Sequence, residues 1–516
     1  MFVNDLEGWL WLASYKGGKK LEHADLQVTQ EQLNKYRERG YKNEDILPKT
    51  AEKRDTSALN YFTLWMGSIH NIPNYAAVVG YLLLGLSPLN VIIGLTLSGL
   101  AVALFMVLNG RAGAKYGIPF AMHLRSTYGD IGAKLPGFLR GCVAAIAWFG
   151  VQTYTGAAAL TILIGKIWPG FLNIGDGAII LGISVPVLIS FLVFWLANVA
   201  IGLGGGGILN KFTAILSPII YVVFGGMTIW AINVGGGIGN ILTHSMPGVS
   251  SINPIFGYLI IIASVLGVWA APGVSVSDFT QNAKSQKDQT IGQIGSLFVG
   301  YLIFAFMAVI IIIGGTIHFN AAPTSGNGVL DFINQWDSLP AIILTTSVFL
   351  MTTISTNATG NILPAGYQLA ALFPKSIDYR KGVWIASIVS VLIMPWRFMA
   401  DGSAIISFLN IIGALLGPVA GVMIAHYFFV NNRKIILDDL YYDEANAKTD
   451  SIYKGINHKA YIATIAGLVI SLLGQIIPSL SIISDIAWIA GFAVAFVIYY
   501  VLAKAGSKDS TVGVIK

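Results

Sequence analysis

Residues 64–85 read LWMGSIHNIPNYAAVVGYLLLG, an apolar run long enough to cross a bilayer yet interrupted at its centre by Ser68, His70, Asn71, Pro73 and Asn74. Proline removes a backbone donor, so a helix carrying this run is expected to unwind near residues 67–74. A second run, IIASVLGVWAAPGVSVSDF at 261–279, has Gly267, Pro272 and Gly273 in a similar place and predicts an interruption near 267–275. Unwound backbone at membrane depth is tolerated only where it lines a cavity or is buried in protein. One mid-helix proline is ordinarily just a kink. A matched pair five spans apart is the pattern that inverted repeats leave.

Composition places both runs in a membrane. The 516-residue chain is 55% hydrophobic and only 11% charged, with a mean hydropathy of +0.70. A soluble chain needs about a quarter of its residues charged to coat its surface. Apolar runs of about 20 residues recur throughout and match the roughly 30 Å thickness of a hydrocarbon core. The 58 glycines suit membrane helices that approach closely. A lone cysteine, Cys142, excludes an internal disulfide. The net charge of +6 does not speak for nucleic acid, because the basic residues sit in loops and tails. The stretch Leu6–Ala13 is short, acidic and without a basic leader, so no secretory signal is read there.

Twelve spans are expected, at about 58–84, 89–110, 137–167, 176–198, 211–234, 254–280, 290–317, 339–371, 382–398, 402–431, 460–478 and 483–504. Spans one to five (57–235) and six to ten (252–431) form the two inverted repeats, with spans eleven and twelve (460–505) appended. Residues 1–56, 432–459 and 506–516 read as cytosolic tail, connector and tail, with Trp9 and Trp11 able to touch the membrane surface. Of the 31 Lys and Arg residues, only Lys166 and Arg397 fall off one face of this map. That asymmetry is the positive-inside signal of a multi-pass cell-membrane protein, and it puts both termini in the cytoplasm.

Two constellations carry chemistry. In AIAWFGVQTYTGA of span three, Trp148 and Gln152 are four residues apart and share a helix face. An indole that stacks and an amide that reads an edge suit a flat, hydrogen-bonding heterocycle; a core Trp beside a Gln bonded to a neighbouring helix is the plainer alternative. Span eight contains TTISTNATGNILPAG, where Thr352, Ser355 and Thr356 fall at i, i+3 and i+4. Hydroxyls and carbonyls are hard ligands that suit Na⁺ and are wrong for zinc or copper. Ser and Thr also bind membrane helices to each other, which is the competing reading. Gly202 to Gly207 looks like a phosphate loop but follows no strand, and reads as a flexible connector. The seven histidines show no HExxH spacing. Asp278 is expected to pair with a basic residue or cap a gate, and Trp230, Trp488 and Tyr499–Tyr500 to anchor at the interface.

NEDILP at 43–48, LWMGSIHNIPNY at 64–75, NGRAGAKYGIPF at 109–120, WFGVQT at 148–153, VSVSDFT at 274–280, STNATGN at 355–361 and MPWRF at 394–398 occur in that order. In these motifs, over most of its length, the chain resembles the nucleobase–cation symporters of the first class. The resemblance implies a LeuT-like fold of five-plus-five inverted repeats and two further helices. It implies that Trp148 and Trp269 stack on opposite faces of a planar ring, with Gln152, Asn361, the backbone near Val268 and the Asn71 side chain as hydrogen-bonding partners. It implies a cation site from the carbonyls of Gly67, His70 and Thr352 and the hydroxyls of Ser355 and Thr356. Na⁺ is favoured over H⁺ because both hydroxyls are kept; no other cofactor, enzymatic activity or obligate protein partner is implied. The IHNIPNY segment is most similar to the allantoin permease branch, with uracil, cytosine or purines as the alternative substrates.

A passive facilitator or channel is the rival of a different class. It predicts uptake into vesicles that never exceeds equilibration, with or without a Na⁺ gradient; accumulation above equilibrium when Na⁺ is supplied outside is the expected outcome.

Overall fold

The structure, a computed structural model, describes residues 28–244, 246, 252–323, 328–399, 402–444 and 450–505, the side chains of 398–412 excepted. Among these residues, nine helices are long and apolar enough to cross a membrane: Pro88–Tyr116, Lys134–Ile167, Val185–Leu203, Gly205–Val234, Gln286–Phe319, Leu339–Leu372, Gly413–Val430, His458–Ile476 and Ala487–Ala505. They correspond to expected spans two to five, seven, eight and ten to twelve. Lipid is the solvent for their outer faces. On span five, Ile208, Ile215, Val222 and Ile229 recur every seven residues and are 49%, 65%, 75% and 63% exposed, an apolar stripe that water would not tolerate.

The three remaining spans fall short for separate reasons. Span nine, Tyr379–Leu392, has 14 residues and is about 21 Å long at the helical rise. Span one is two helices, Ala58–Ile69 and Ile72–Leu82. In a continuous helix the Ile69 carbonyl would accept the N–H of residue 73, and Pro73 has none. Instead, Asn71 N–H turns back to Ile69 O at 3.1 Å, and Asn74 Nδ2 donates to the same oxygen at 2.8 Å. Asn71 then caps the second half: its Oδ1 accepts from Asn74 N at 3.0 Å and its Nδ2 donates to Ser68 O at 2.7 Å. The break is thus satisfied by amide side chains at the break itself.

Span six differs from the expectation. Pro254–Val274 is one helix with Pro272 inside it, and Gly267 and Gly273 are helical too. Pro272 deprives the Val268 carbonyl of its helical donor, but the backbone keeps its course until Ser275, beyond which a short helix, Ser277–Thr280, follows. The ladder loses a rung without unwinding, and the unbroken apolar stretch, Pro254–Val268, stays short of a full crossing.

The helices sort into two groups. Spans one, two, six and seven pack on one another, as do spans three, four, eight and nine. Span ten lies against span six, and spans eleven and twelve pair with each other and with span ten. Span four begins later than the expected residue 176: positive φ at Gly175, Asp176, Gly177, Leu181 and Gly182 bends the chain into a hairpin pairing Ile179–Ile180 with Ile183–Ser184. The glycine run is no loop either, since span four ends at Leu203 and span five starts at Gly205.

Residues 28–56 are more than a loose tail. Helix Gln30–Glu38 opens with a Thr29–Gln32 capping box, and Leu33, Tyr36, Tyr41 and Ile46 pack with Tyr441 and Tyr453 of the connector. Arg125 pairs with Glu444 at 2.7 Å, and Lys35 with Asp438 at 3.0 Å. Trp9, Trp11 and the C-terminal tail lie outside the described residues. Trp488 and Tyr499 are core residues rather than interfacial anchors: Trp488 stacks on Phe492, and Tyr499 bonds His426 at 2.6 Å.

Replacing Asn74 by Ala removes a bond to the Ile69 carbonyl and is expected to destabilise the protein by about 1–3 kcal/mol. A melting temperature of the purified variant equal to that of the parent would contradict this account of the break.

Candidate functional site

A cavity lies where the two helix groups meet, holding about 790 Å³ of empty space with its mouth included. Spans one and six line one side, and spans three and eight the other. All six expected ring-binding residues, Asn71, Trp148, Gln152, Val268, Trp269 and Asn361, line it. Trp148 and Gln152 reach it from one face of span three. The Gln152 side chain is buried and its Oε1 has no protein partner among the described residues, so its amide is left for a ligand.

Trp269 is held by its surroundings. Its indole N–H donates to Tyr301 Oη at 2.6 Å, and Trp65 packs edge-on against it at 5.6 Å. Asn361 lies in a π-turn, Ala358–Ile362, that interrupts span eight. Such turns widen a helix locally and recur at functional sites. Asn71 lines the cavity, but both ends of its amide serve the span-one break. In this conformation it shapes the site through that cap.

Of the expected cation ligands, Gly67 neighbours Ser355, Thr356 bonds Thr352, and Thr356 lines the cavity. A Cβ placed on Gly67 would meet Ser355 Oγ at 2.8 Å, so that carbonyl-bearing turn and that hydroxyl are neighbours. Ser355 Oγ is buried without a hydrogen-bond partner, and a cation ligated there would satisfy it. Thr356 Oγ1 donates to Thr352 O at 2.9 Å and to Ser68 O at 3.3 Å, keeping its lone pairs available. His70 turns its imidazole away, stacked on Phe224 at 5.1 Å and bonded through Nδ1 to Tyr75 Oη at 3.2 Å. Its Nε2 is buried among these rings without a hydrogen-bond partner among the described residues. Among the described residues there is no cluster of three His, Cys, Asp or Glu side chains that could hold a metal. The donor set is hydroxyl and carbonyl oxygen, which fits a hard monovalent cation.

A family model described as permeases for cytosine/purines, uracil, thiamine and allantoin matches residues 48–502. The chain belongs to that family. It is 51% identical to a putative allantoin permease of Escherichia coli K12, over 92% of this permease and 97% of the relative. It is 36% identical to the allantoin permease of Bacillus subtilis, over 93% and 95% of the two chains. Among solved structures, a nucleobase-cation-symport-1 family transporter in a closed conformation with bromovinylhydantoin bound superposes with a TM-score of 0.73 at 22% identity, covering 92% of this permease and 98% of that chain. A Na⁺-coupled sialic acid symporter shares the fold at a TM-score of 0.60 and 13% identity. The fold is thus the mostly helical, LeuT-like one, and the protein is an integral membrane permease.

Trp65 and Ser264 escaped the sequence reading yet line the cavity, beside Ser68 and Asn74 of the expected break and Thr359 of span eight. Ser264 and Val268 are one helical turn apart, so stepping back one turn from Val268 would have reached it. Arg140, in a π-turn of span three, is fully buried. Its Nε donates to Ala271 O and, at 3.1 Å, to Ser275 Oγ; its Nη2 donates to Gly360 O at 2.9 Å. It thereby fastens the cavity-lining turns of spans six and eight to each other. Asp278 accepts from Phe120 N at 2.9 Å; it makes no direct ion-pair contact among the described residues, but the buried Arg140 guanidinium is near enough to interact with it electrostatically.

Trp148→Ala and Asn361→Ala are each expected to abolish substrate binding in a folded protein, as read by monodisperse gel filtration beside a binding assay. Ordinary affinity in both variants would exclude this cavity as the substrate site. Ser355→Ala combined with Thr356→Ala is expected to remove Na⁺ stimulation of uptake, and unchanged stimulation would move the cation elsewhere.

Proposed function

We propose that this permease carries out secondary active uptake of allantoin, or a closely related hydantoin-type ring, driven by Na⁺ through alternating access. The observation that carries the reading is a tryptophan-flanked cavity with an unpartnered amide acceptor, set where two helix groups meet and beside a hydroxyl–carbonyl cluster. A planar ring fits between Trp148 and Trp269, while Gln152, Asn361 and the donor-deprived Val268 carbonyl answer its amide edge. The relatives named as allantoin permeases support the choice of ring. A nearby relative named as a purine–uracil permease keeps nucleobases as the second reading.

Coupling follows from which elements each ligand touches. Gly67 and His70 belong to span one, in one helix group; Thr352, Ser355 and Thr356 belong to span eight, in the other. A cation bound by both sets favours one relative placement of the groups, and the ring contacts both groups as well. Each ligand therefore strengthens the other's binding by the same factor. Rocking of one group against the other then exposes the pair to alternate faces. The distribution of Lys and Arg supports cytoplasmic termini in the cell membrane.

A thermal-shift panel of allantoin, hydantoin, benzyl-hydantoin, uracil, cytosine and adenine, each with Na⁺ or with choline in its place, tests the proposal. Allantoin or a hydantoin should give the largest stabilisation, and Na⁺ should enlarge it. Stabilisation by nucleobases alone would transfer the assignment to them, and indifference to Na⁺ would point to protons as the coupling ion.

A further inference from the structure

Behind Asn361 lies a chain of buried amides whose polarity is fixed at its far end. Asn198 on span four donates from Nδ2 to the Phe194 carbonyl at 2.8 Å. A carbonyl can only accept, so Asn198 must present its Oδ1 to Asn357, whose Nδ2 lies at 3.0 Å. Two further contacts fix Asn357 the same way round. Its Nδ2 also faces Phe149 O and Thr153 Oγ1, both at 3.3 Å, and the Thr153 proton is already donated to Phe149 O at 2.7 Å. Asn357 therefore turns Oδ1 toward Asn361, which donates to it from Nδ2 at 2.9 Å. Asn198 and Asn357 are fully buried, and Asn361 is 5% exposed at the cavity wall. An amide whose nitrogen is committed on one side has its carbonyl oxygen left for the other, and Asn361 Oδ1 has no protein donor among the described residues.

We propose that Asn198 and Asn357 are positioning residues that fix Asn361 with its carbonyl toward the cavity, so that the permease selects rings presenting an N–H at that point. The inference rests on the cavity being the substrate site. It explains selection rather than affinity alone. Asn is intrinsically ambiguous, since either end of its amide can face a ligand, and a freely turning Asn361 would accommodate an N–H donor or avoid an N-methyl with similar ease. Held by the relay, its oxygen meets an N-methyl group with no hydrogen bond to gain, and the unmet acceptor weakens binding by about tenfold.

Binding of hydantoin, 1-methylhydantoin and 3-methylhydantoin to the purified, full-length permease in Na⁺ tests this. The parent should prefer hydantoin over one of the methylated rings by at least about tenfold. In Asn357→Leu the preference should fall below about threefold, with the methylated ring binding no worse than to the parent. Asn198→Leu should lower the preference part way, because Phe149 and Thr153 still hold Asn357. General damage would weaken both rings alike and leave their ratio intact; that result, or an unchanged ratio in Asn357→Leu, overturns the proposal. Should the parent bind none of the three rings, it is the substrate reading that fails. The relay is then read without ligand, from melting temperatures of Asn357→Leu, Asn361→Leu and the double variant. Non-additive shifts support it, and strictly additive ones overturn it.

Discussion

Pro73 has no N–H to give the Ile69 carbonyl, and the centre of the molecule is organised around the way that carbonyl is satisfied. Inside a membrane an unmet backbone acceptor costs several kcal/mol. The sequence answers with Asn71 and Asn74, whose backbone and side-chain amides bond Ile69, Ser68 and each other across the break. The turn is consequently a defined structure rather than a frayed end. Its geometry leaves the carbonyls on either side of Ser68 and Ile69 able to serve a ligand, and it swings the second half-helix to the cavity wall.

The same turn joins the two proposed sites. Ser68 O receives both Asn71 Nδ2 and Thr356 Oγ1, so the broken span and the span-eight hydroxyls meet at one oxygen. Thr356 also lines the cavity. A cation drawn to Ser355 and Thr356 thus acts on a residue that borders the ring, and a ring entering the cavity acts on a turn that borders the cation. On the other side of the cavity Arg140 holds the Ala271 and Gly360 carbonyls together. Buried guanidinium charge is expensive unless its donors are met; here two backbone carbonyls and a serine hydroxyl meet Nε and Nη2, while Nη1 is buried without a hydrogen-bond partner among the described residues.

What could be read from the sequence were the features that are costly in lipid. A proline amid asparagines in an apolar run announces a break, and Trp148, Gln152 and Asn361 are conspicuous because amides need partners there. The hydroxyls proposed to hold the cation stand out by their helical spacing. Pro272 misled because the chemistry of a missing donor is local, whereas whether the backbone then unwinds depends on packing: the helix around Gly273 is wedged against Phe105, and nothing in residues 261–279 reveals that neighbour. Asn198 and Arg140 were illegible for a related reason. A single polar residue within a span says that a partner exists, but the partners, Asn357 for one and Gly360 for the other, stand more than 150 residues away in the chain. The order in residues 28–56 was hidden likewise, since its tyrosine core is completed by Tyr441 and Tyr453.

The central claim is that the span-one break gathers ring and cation at one place. A cryo-electron microscopy map of the permease with hydantoin and Na⁺ tests it most directly. The account predicts planar density between Trp148 and Trp269, within hydrogen-bonding reach of Gln152 and Asn361, and an ion between the Gly67 turn and Ser355. A ring seated outside this cavity, or an ion away from both spans, would contradict it.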